Sequence, residues 1–174
     1  SFCALLAGRI VLLNTYPIAA SRDLVASEKE SSLLSQASVI SSSLSTLSPL
    51  EPESVGQVMD LLELSSSGRI VVTDELGIIL YDTGSPSGKG KAAMLAEVAL
   101  ALEGKQVFHS VFSGGAFVST AAMPVRAGGV TLGAVYVQEH DTAQAELILS
   151  IQNRLVTISI AASVAALALT VVFS

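Results

Sequence analysis

The chain has 174 residues, of which 51% are hydrophobic and 14% charged, with a formal net charge of −6 at pH 7. The acidic balance and the absence of any Lys/Arg cluster argue against a nucleic-acid partner, and the one cysteine, Cys3, rules out an internal disulfide and a Cys-based metal site. So few charges among so much apolar sequence depart from an ordinary soluble domain, and the apolar residues are concentrated at the two ends.

Residues 1–20 form the first apolar run, interrupted by Arg9, Asn14 and Pro17. A charge at mid-membrane costs about 2.5–3.5 kcal/mol. The chain opens on Ser1 rather than Met, so the run reads as cut at its start, which puts Arg9 off centre where it reaches a membrane face. The expectation is a first, truncated transmembrane helix. The alternative is a signal peptide ending near Ala19-Ala20, which the unbroken helical sequence beyond fits poorly.

Residues 21–154 read as one domain between two membrane segments. It carries all fifteen acidic residues and every basic residue except Arg9. Between Ser21 and Ser48, Leu33, Ala37, Ile40, Leu44 and Leu47 recur at spacings of four, three, four and three. This narrow stripe predicts a long helix, and it has two readings: a coiled-coil-like seam with a second copy of the chain, or a face that covers the chain's own domain. Pro49 and Pro52 break the helix, and a short second helix places Val55, Val58, Met59 and Leu62 on one side. Ser65 to Gly68 reads as a linker.

The stretch "RIVVTDELGIILYDTG", Arg69 to Gly84, predicts a hairpin with strands Arg69–Asp74 and Ile78–Thr83. "GSPSGKGK", Gly84 to Lys91, lacks the spacing of a phosphate-binding loop and reads as a solvated loop. Lys91 to Leu102 predicts a helix with Met94, Leu95, Val98 and Leu102 inward, ended by Gly104. Three strands follow, Gln106–Ser113, Ala116–Arg126 and Val130–Glu139, with Gly114-Gly115 and Gly128-Gly129 at their turns. From Asp141, with Asp141 or Thr142 as N-cap, the pattern is helical and runs without Pro or Gly into residues 155–174. Leu155 to Phe173 is nineteen residues without a charge, which at about 1.5 Å per residue spans the roughly 30 Å hydrocarbon core. This is the second expected membrane helix. Within it Ser159 and Ser163, and Ala162 and Ala166, have the small-xxx-small spacing that permits close helix pairing. The fold class expected is therefore α+β: a five-stranded antiparallel sheet with a long N-terminal helix and flanking transmembrane helices.

"RIVVTDELGIILYDTG" together with "EVALALEGKQVFHSVFSGGAFVSTAAMPVRAGGVTLGAVYVQEHD" resembles the PAS-like sensor domains of bacterial membrane receptors, of the single Cache or PDC type. The resemblance covers about Arg69 to Asp141 and rests on the strand ending in Tyr81-Asp82, the helix closing on "ALEGK", the strand ending in "MPV" and the glycine before "GAVYV". It is nearest to the extracytoplasmic part of sensor histidine kinases. It implies a multi-pass protein of the cell membrane, homodimeric, with the central domain outside the cytoplasm, and a kinase in the intact protein that acts on a response regulator. The segment itself has no phospho-accepting His box and no ATP-binding glycine boxes, and no intrinsic catalysis is expected of it.

His109 and His140 fit no metal-ligand spacing, and neither a metal nor a cofactor is expected in this segment. Resembling receptors bind small molecules between the sheet and the segment joining the second and third strands, which designates Tyr81, Asp82, His109, Thr120 and Arg126. Arg126 is the expected grip on a carboxylate, with His109 and Thr120 adding hydrogen bonds. The plain structural readings are that Arg126 is solvated, His109 structural and Asp82 a cap of the following loop. Leu33, Ile40, Leu44, Leu47, Ser159 and Ser163 are the expected dimer and transmission residues. Two functions follow: the sensing region of a histidine kinase or another membrane receptor such as a chemotaxis receptor or cyclase, or a membrane-anchored domain that docks a protein partner.

Overall fold

Five strands form one antiparallel sheet in the order β2-β1-β5-β4-β3, with β1 at Arg69–Asp74, β2 at Ile79–Asp82, β3 at Val107–Ser113, β4 at Ala116–Ala127 and β5 at Val130–Asp141. The computed structural model describes residues 2–62, 68–113 and 115–172; for residues 2–22, 144, 148, 166, 167 and 169–172 it describes the backbone alone. Four helices surround the sheet: α1 at Phe2–Leu44, α2 at Pro52–Leu61, α3 at Ala96–Leu102 and α4 at Thr142–Val172. This is the α+β class the sequence predicts. The expected linker lies, apart from Gly68, outside the described residues.

The period of two along each strand divides the side chains between two faces. On one face, Ile70 and Val72 of β1, Ala121 and Val125 of β4, and Val135 and Val137 of β5 are buried beneath α1 and α2. On the other, Val71, Ile79, Ala122, Ala134 and Tyr136 meet Val98 and Ala101 of α3.

α1 is one unbroken helix of 43 residues, about 65 Å long. Its stripe settles on the sheet of its own chain. Leu33, Ala37, Ile40 and Leu44 are between 0 and 2% exposed there, and Leu47 packs against the same core. The sheet of the same chain thus covers Leu33, Ile40 and Leu44, as the second of the two readings has it, while Leu47 is half-buried at its margin. α1 stops at Leu44, before the prolines, and Pro52 opens α2 as its first residue, where its missing N–H costs nothing.

The β1–β2 turn is built by Asp74, whose Oδ1 accepts hydrogen bonds from the backbone N–H of Leu76 and of Ile78 at 2.9 and 2.8 Å. Gly77 takes the positive φ of +79° that this turn requires.

α3 begins at Ala96 rather than Lys91. The Ile79 N–H donates to the Lys91 carbonyl at 2.9 Å, and the Ala93 N–H donates to the Gly77 carbonyl at 2.8 Å. Residues 91–93 are thus used as an extra rung beside β2, with Ile78 bridged to Ala92. Leu95 is still extended, at φ −118°. Met94, expected inward, is 93% exposed as a result.

At one end of the sheet α1, β3, β4 and α4 converge. Val25, Phe112, Phe117 and Ala145 form a small cluster, in which the rings of Phe112 and Phe117 meet edge to face at 5.2 Å. Beside it Lys29 of α1 bridges Glu139 at 2.9 Å and Asp141 at 3.0 Å. β5 passes into α4 with no intervening residue, Asp141 closing the strand and Thr142 opening the helix.

Candidate functional site

The sheet register places four polar residues in one rung across the α3 face. Arg69 of β1 stands opposite Gln138 of β5. Gln138 stands opposite Thr120 of β4, and Thr120 opposite His109 of β3. With strands about 4.8 Å apart, this row extends about 14 Å. The next rung toward the far end holds Val71, Tyr136, Ala122 and Val107 in the same order, so the polar row meets a small-residue apolar floor. Glu97, in the first turn of α3, overhangs the row, and the Thr120 hydroxyl donates to its Oε1 at 3.3 Å.

Asp82 anchors the outer end. Its carboxylate receives Arg69 Nε at 2.9 Å and Arg69 Nη2 at 2.6 Å, and Oδ1 also accepts the backbone N–H of Gly84 at 2.9 Å and of Ser85 at 3.2 Å. The side chain is fully covered, while that of Arg69 is 36% exposed. The Arg69 hydrogen bonds, aided by those backbone donors and the guanidinium charge, outweigh burial and hold the Asp82 pKa below the ordinary carboxylate value. The same hydrogen bonds hold Arg69 above its ordinary value. Asp82 thus organises the loop that follows β2, as the plain structural reading has it.

Tyr136 is 3% exposed. Burial raises its pKa above the ordinary phenol value; Glu97 pushes in the same direction and Arg69 in the other. The phenol therefore lies in the field of both charges. Buried Thr73 Oγ1 has no hydrogen-bond partner among the described residues.

The structure brings together some of the designated residues and separates others. His109 and Thr120 are neighbours in the row, His109 on the exposed side of edge strand β3 and Thr120 7% exposed. Tyr81 packs against the core on the opposite, α1 face, with Lys89 Nζ 5.8 Å from its ring centre. Arg126 is six residues along β4 from Thr120, about 20 Å at roughly 3.3 Å per residue. There its Nη2 donates to the Gly104 carbonyl at 2.9 Å. Gly104 has φ +89°, and a Cβ at that position would meet the Arg126 guanidinium. Arg126 thus closes the C-terminal end of α3 and does not share a ligand with Thr120. Arg69, Glu97, Tyr136 and Gln138 are the residues that sequence reasoning did not designate. The alternation in "GAVYVQEH", which puts Tyr136 and Gln138 on one face, was the available signal. In α4 the Ser163 hydroxyl donates to the Ser159 carbonyl of its own helix at 2.8 Å.

This sheet order, with a long helix on one face and a short helix after the hairpin on the other, is a fold shared with solved ligand-binding domains of bacterial receptors. Among solved structures, the chain is similar to an extracellular ligand binding receptor from Desulfohalobium retbaense DSM5692 at 15% identity and a TM-score of 0.54, covering 79% of this chain and 27% of that one. It is also similar to the ligand binding domain of the Pseudomonas aeruginosa PAO1 amino acid chemoreceptor PctC, solved with GABA, at 18% identity and a TM-score of 0.54, covering 73% and 60%. The sensor domain of Escherichia coli DcuS matches at 15% identity and a TM-score of 0.47, over 70% of this chain and 97% of that one. The chain thus spans well under two thirds of the Desulfohalobium receptor and somewhat under two thirds of the PctC domain. No protein-family model and no curated protein matches it.

Proposed function

We propose that the chain is the sensing and signal-transmitting region of a bacterial membrane receptor, in the first instance a two-component sensor histidine kinase. The observation that carries this reading is the polar row on the α3 face of a sensor-domain fold. Arg69, Gln138, Thr120 and His109 stand side by side in register, beneath Glu97 and next to buried Tyr136. A small molecule held between this row and α3 contacts β1, β3, β4 and β5 together. Binding there biases the strand that leads directly into α4.

Among the described residues, one segment, Ala145–Ala165, is long and apolar enough to cross a membrane by length and composition. Glu146 and Arg154 occupy its first half, so the crossing is assigned to the charge-free part from Leu155 onward. Val156, Ile158, Ile160 and Val164 are between 48 and 64% exposed in the isolated chain, as suits lipid-facing side chains. Residues 1–20 are assigned as the other crossing, with residues 21–154 outside the cytoplasm between them. In this arrangement two copies pair through the membrane helices, with Ser159 and Ser163 at close-packing spacing, and the kinase output acts on a response regulator.

The test is a thermal-shift screen of the full chain in lipid nanodiscs against metabolite classes. One class is expected to give a saturable rise in melting temperature. If every class leaves it unchanged, the sensing role is abandoned. Kinase, chemotaxis and cyclase outputs are separated by reading the coding sequence downstream of Ser174.

A further inference from the structure

The charges around the polar row do not cancel. Arg69, the row's one permanent cation, directs two of its donors to Asp82, and the two form a closed neutral pair. Arg126 lies about 20 Å away along β4 and is engaged by Gly104. Glu97 is half-buried over the row. It accepts a long hydrogen bond from the Thr120 hydroxyl, at 3.3 Å, and among the described residues no Lys or Arg lies within ion-pair distance of it. A partly desolvated carboxylate with only a neutral donor has its strongest complement in a cation. Beside it, the Tyr136 hydroxyl has no hydrogen bond among the described residues and offers an acceptor oxygen, and Gln138 and Thr120 offer two more in the same rung.

From this we infer that the ligand received on the α3 face carries an ammonium group, which Glu97 binds as counter-ion while its two remaining N–H donors are shared among the acceptors of Thr120, Gln138 and Tyr136. A compound bearing carboxylates and no ammonium is rejected by the same charge. This rests on the sensor reading and specifies the ligand class for that site. It reverses the carboxylate expectation founded on Arg126. The net charge of −6 favours encounter with cations over the whole surface, so the test has to separate that general attraction from Glu97.

The experiment uses the full chain in uncharged nanodiscs and two probes of equal carbon length, 1,4-diaminobutane and succinate. Affinity is measured by calorimetry at physiological salt for the native chain and for Glu97→Gln, Glu97→Ala and Glu103→Gln. Glu103→Gln removes the same charge from an exposed pair with Lys105, in which both side chains are more than 60% exposed. The expected result is saturable diamine binding that weakens at least tenfold in both Glu97 variants and by less than twofold in Glu103→Gln, with no succinate binding. Equal weakening in all three variants reduces the effect to surface charge and overturns the inference. Succinate binding that survives Glu97→Gln overturns the cation class and leaves the sensor role standing. If neither probe binds, the ammonium assignment falls, and the wider metabolite screen decides the sensor role separately.

Discussion

The two faces of the sheet are made by the same strands and yet differ in kind. Under α1 the strands present Val72, Val125, Val135 and Val137 to Leu33, Ile40 and Leu44, all buried and all branched aliphatics. Under α3 they present Val71 and Ile79 together with Ala122, Ala134, Tyr136 and Thr120, with an ion pair at the margin and a carboxylate overhead. Close-packed branched side chains give the first face its stability. Small residues interspersed with polar ones give the second face contacts that a ligand can complete. One face holds the domain together and the other is the one proposed for recognition, and this division can be tested by substitution.

The largest expected effect is on the α1 face. Ile40→Ala, in a fully buried position, is expected to lower unfolding free energy by about 3–4 kcal/mol, and Val98→Ala on α3 by roughly half as much. Chemical denaturation of the full chain measures both, and equal losses would remove the distinction between the faces. Next is Asp82→Asn, which removes a charge serving four hydrogen bonds, at about 2 kcal/mol. Because the folded-state pKa of Asp82 is depressed, its contribution is present above the unfolded carboxylate value near pH 4 and is lost as pH falls through the folded value. Native and variant stabilities should therefore converge in strong acid. A constant gap down to pH 2 would contradict this.

Lys29→Met comes third, at about 1 kcal/mol. Burial opposes the charge on Lys29, but the hydrogen bonds and charges of Glu139 and Asp141 outweigh it and hold its pKa above the ordinary lysine value. The expected sign is stability retained below pH 10 and lost as pH rises through the folded value, and the variant should lack this alkaline loss. The smallest effect sharpens the comparison from the other side. Glu97→Gln is expected to change stability by no more than about 0.5 kcal/mol, while abolishing ligand-dependent stabilisation. A loss of 2 kcal/mol or more would make Glu97 a structural residue.

The strands and the long helix were legible because periodicity reports burial directly: Leu33, Ala37, Ile40 and Leu44 stand in the stripe and in the core alike. What period alone does not carry is the identity of the covering surface, so a stripe fit for a partner helix proved to be covered by the sheet. The start of α3 was misjudged because Lys91, Ala92 and Ala93 suit a helix locally, and only the tertiary bonds to Gly77 and Ile79 draw them into an extended rung. Strand alternation alone assigns His109 and Thr120 their faces, and the register sets the two side by side. Arg69, Gln138 and Tyr136 join them only through register across three strand pairs, which no local pattern encodes. Arg126 was misplaced for the complementary reason: sharing a face with Thr120 says nothing of the distance along the strand.

The junction of β5 and α4 has a further consequence. Since Asp141 and Thr142 are consecutive and no turn separates strand from helix, the angular phase of α4 is set by the sheet. One residue inserted at that point would screw everything beyond it by about 100° and advance it by about 1.5 Å, redirecting Ser159 and Ser163 to a different side of the helix while leaving the α3 face of the sheet untouched.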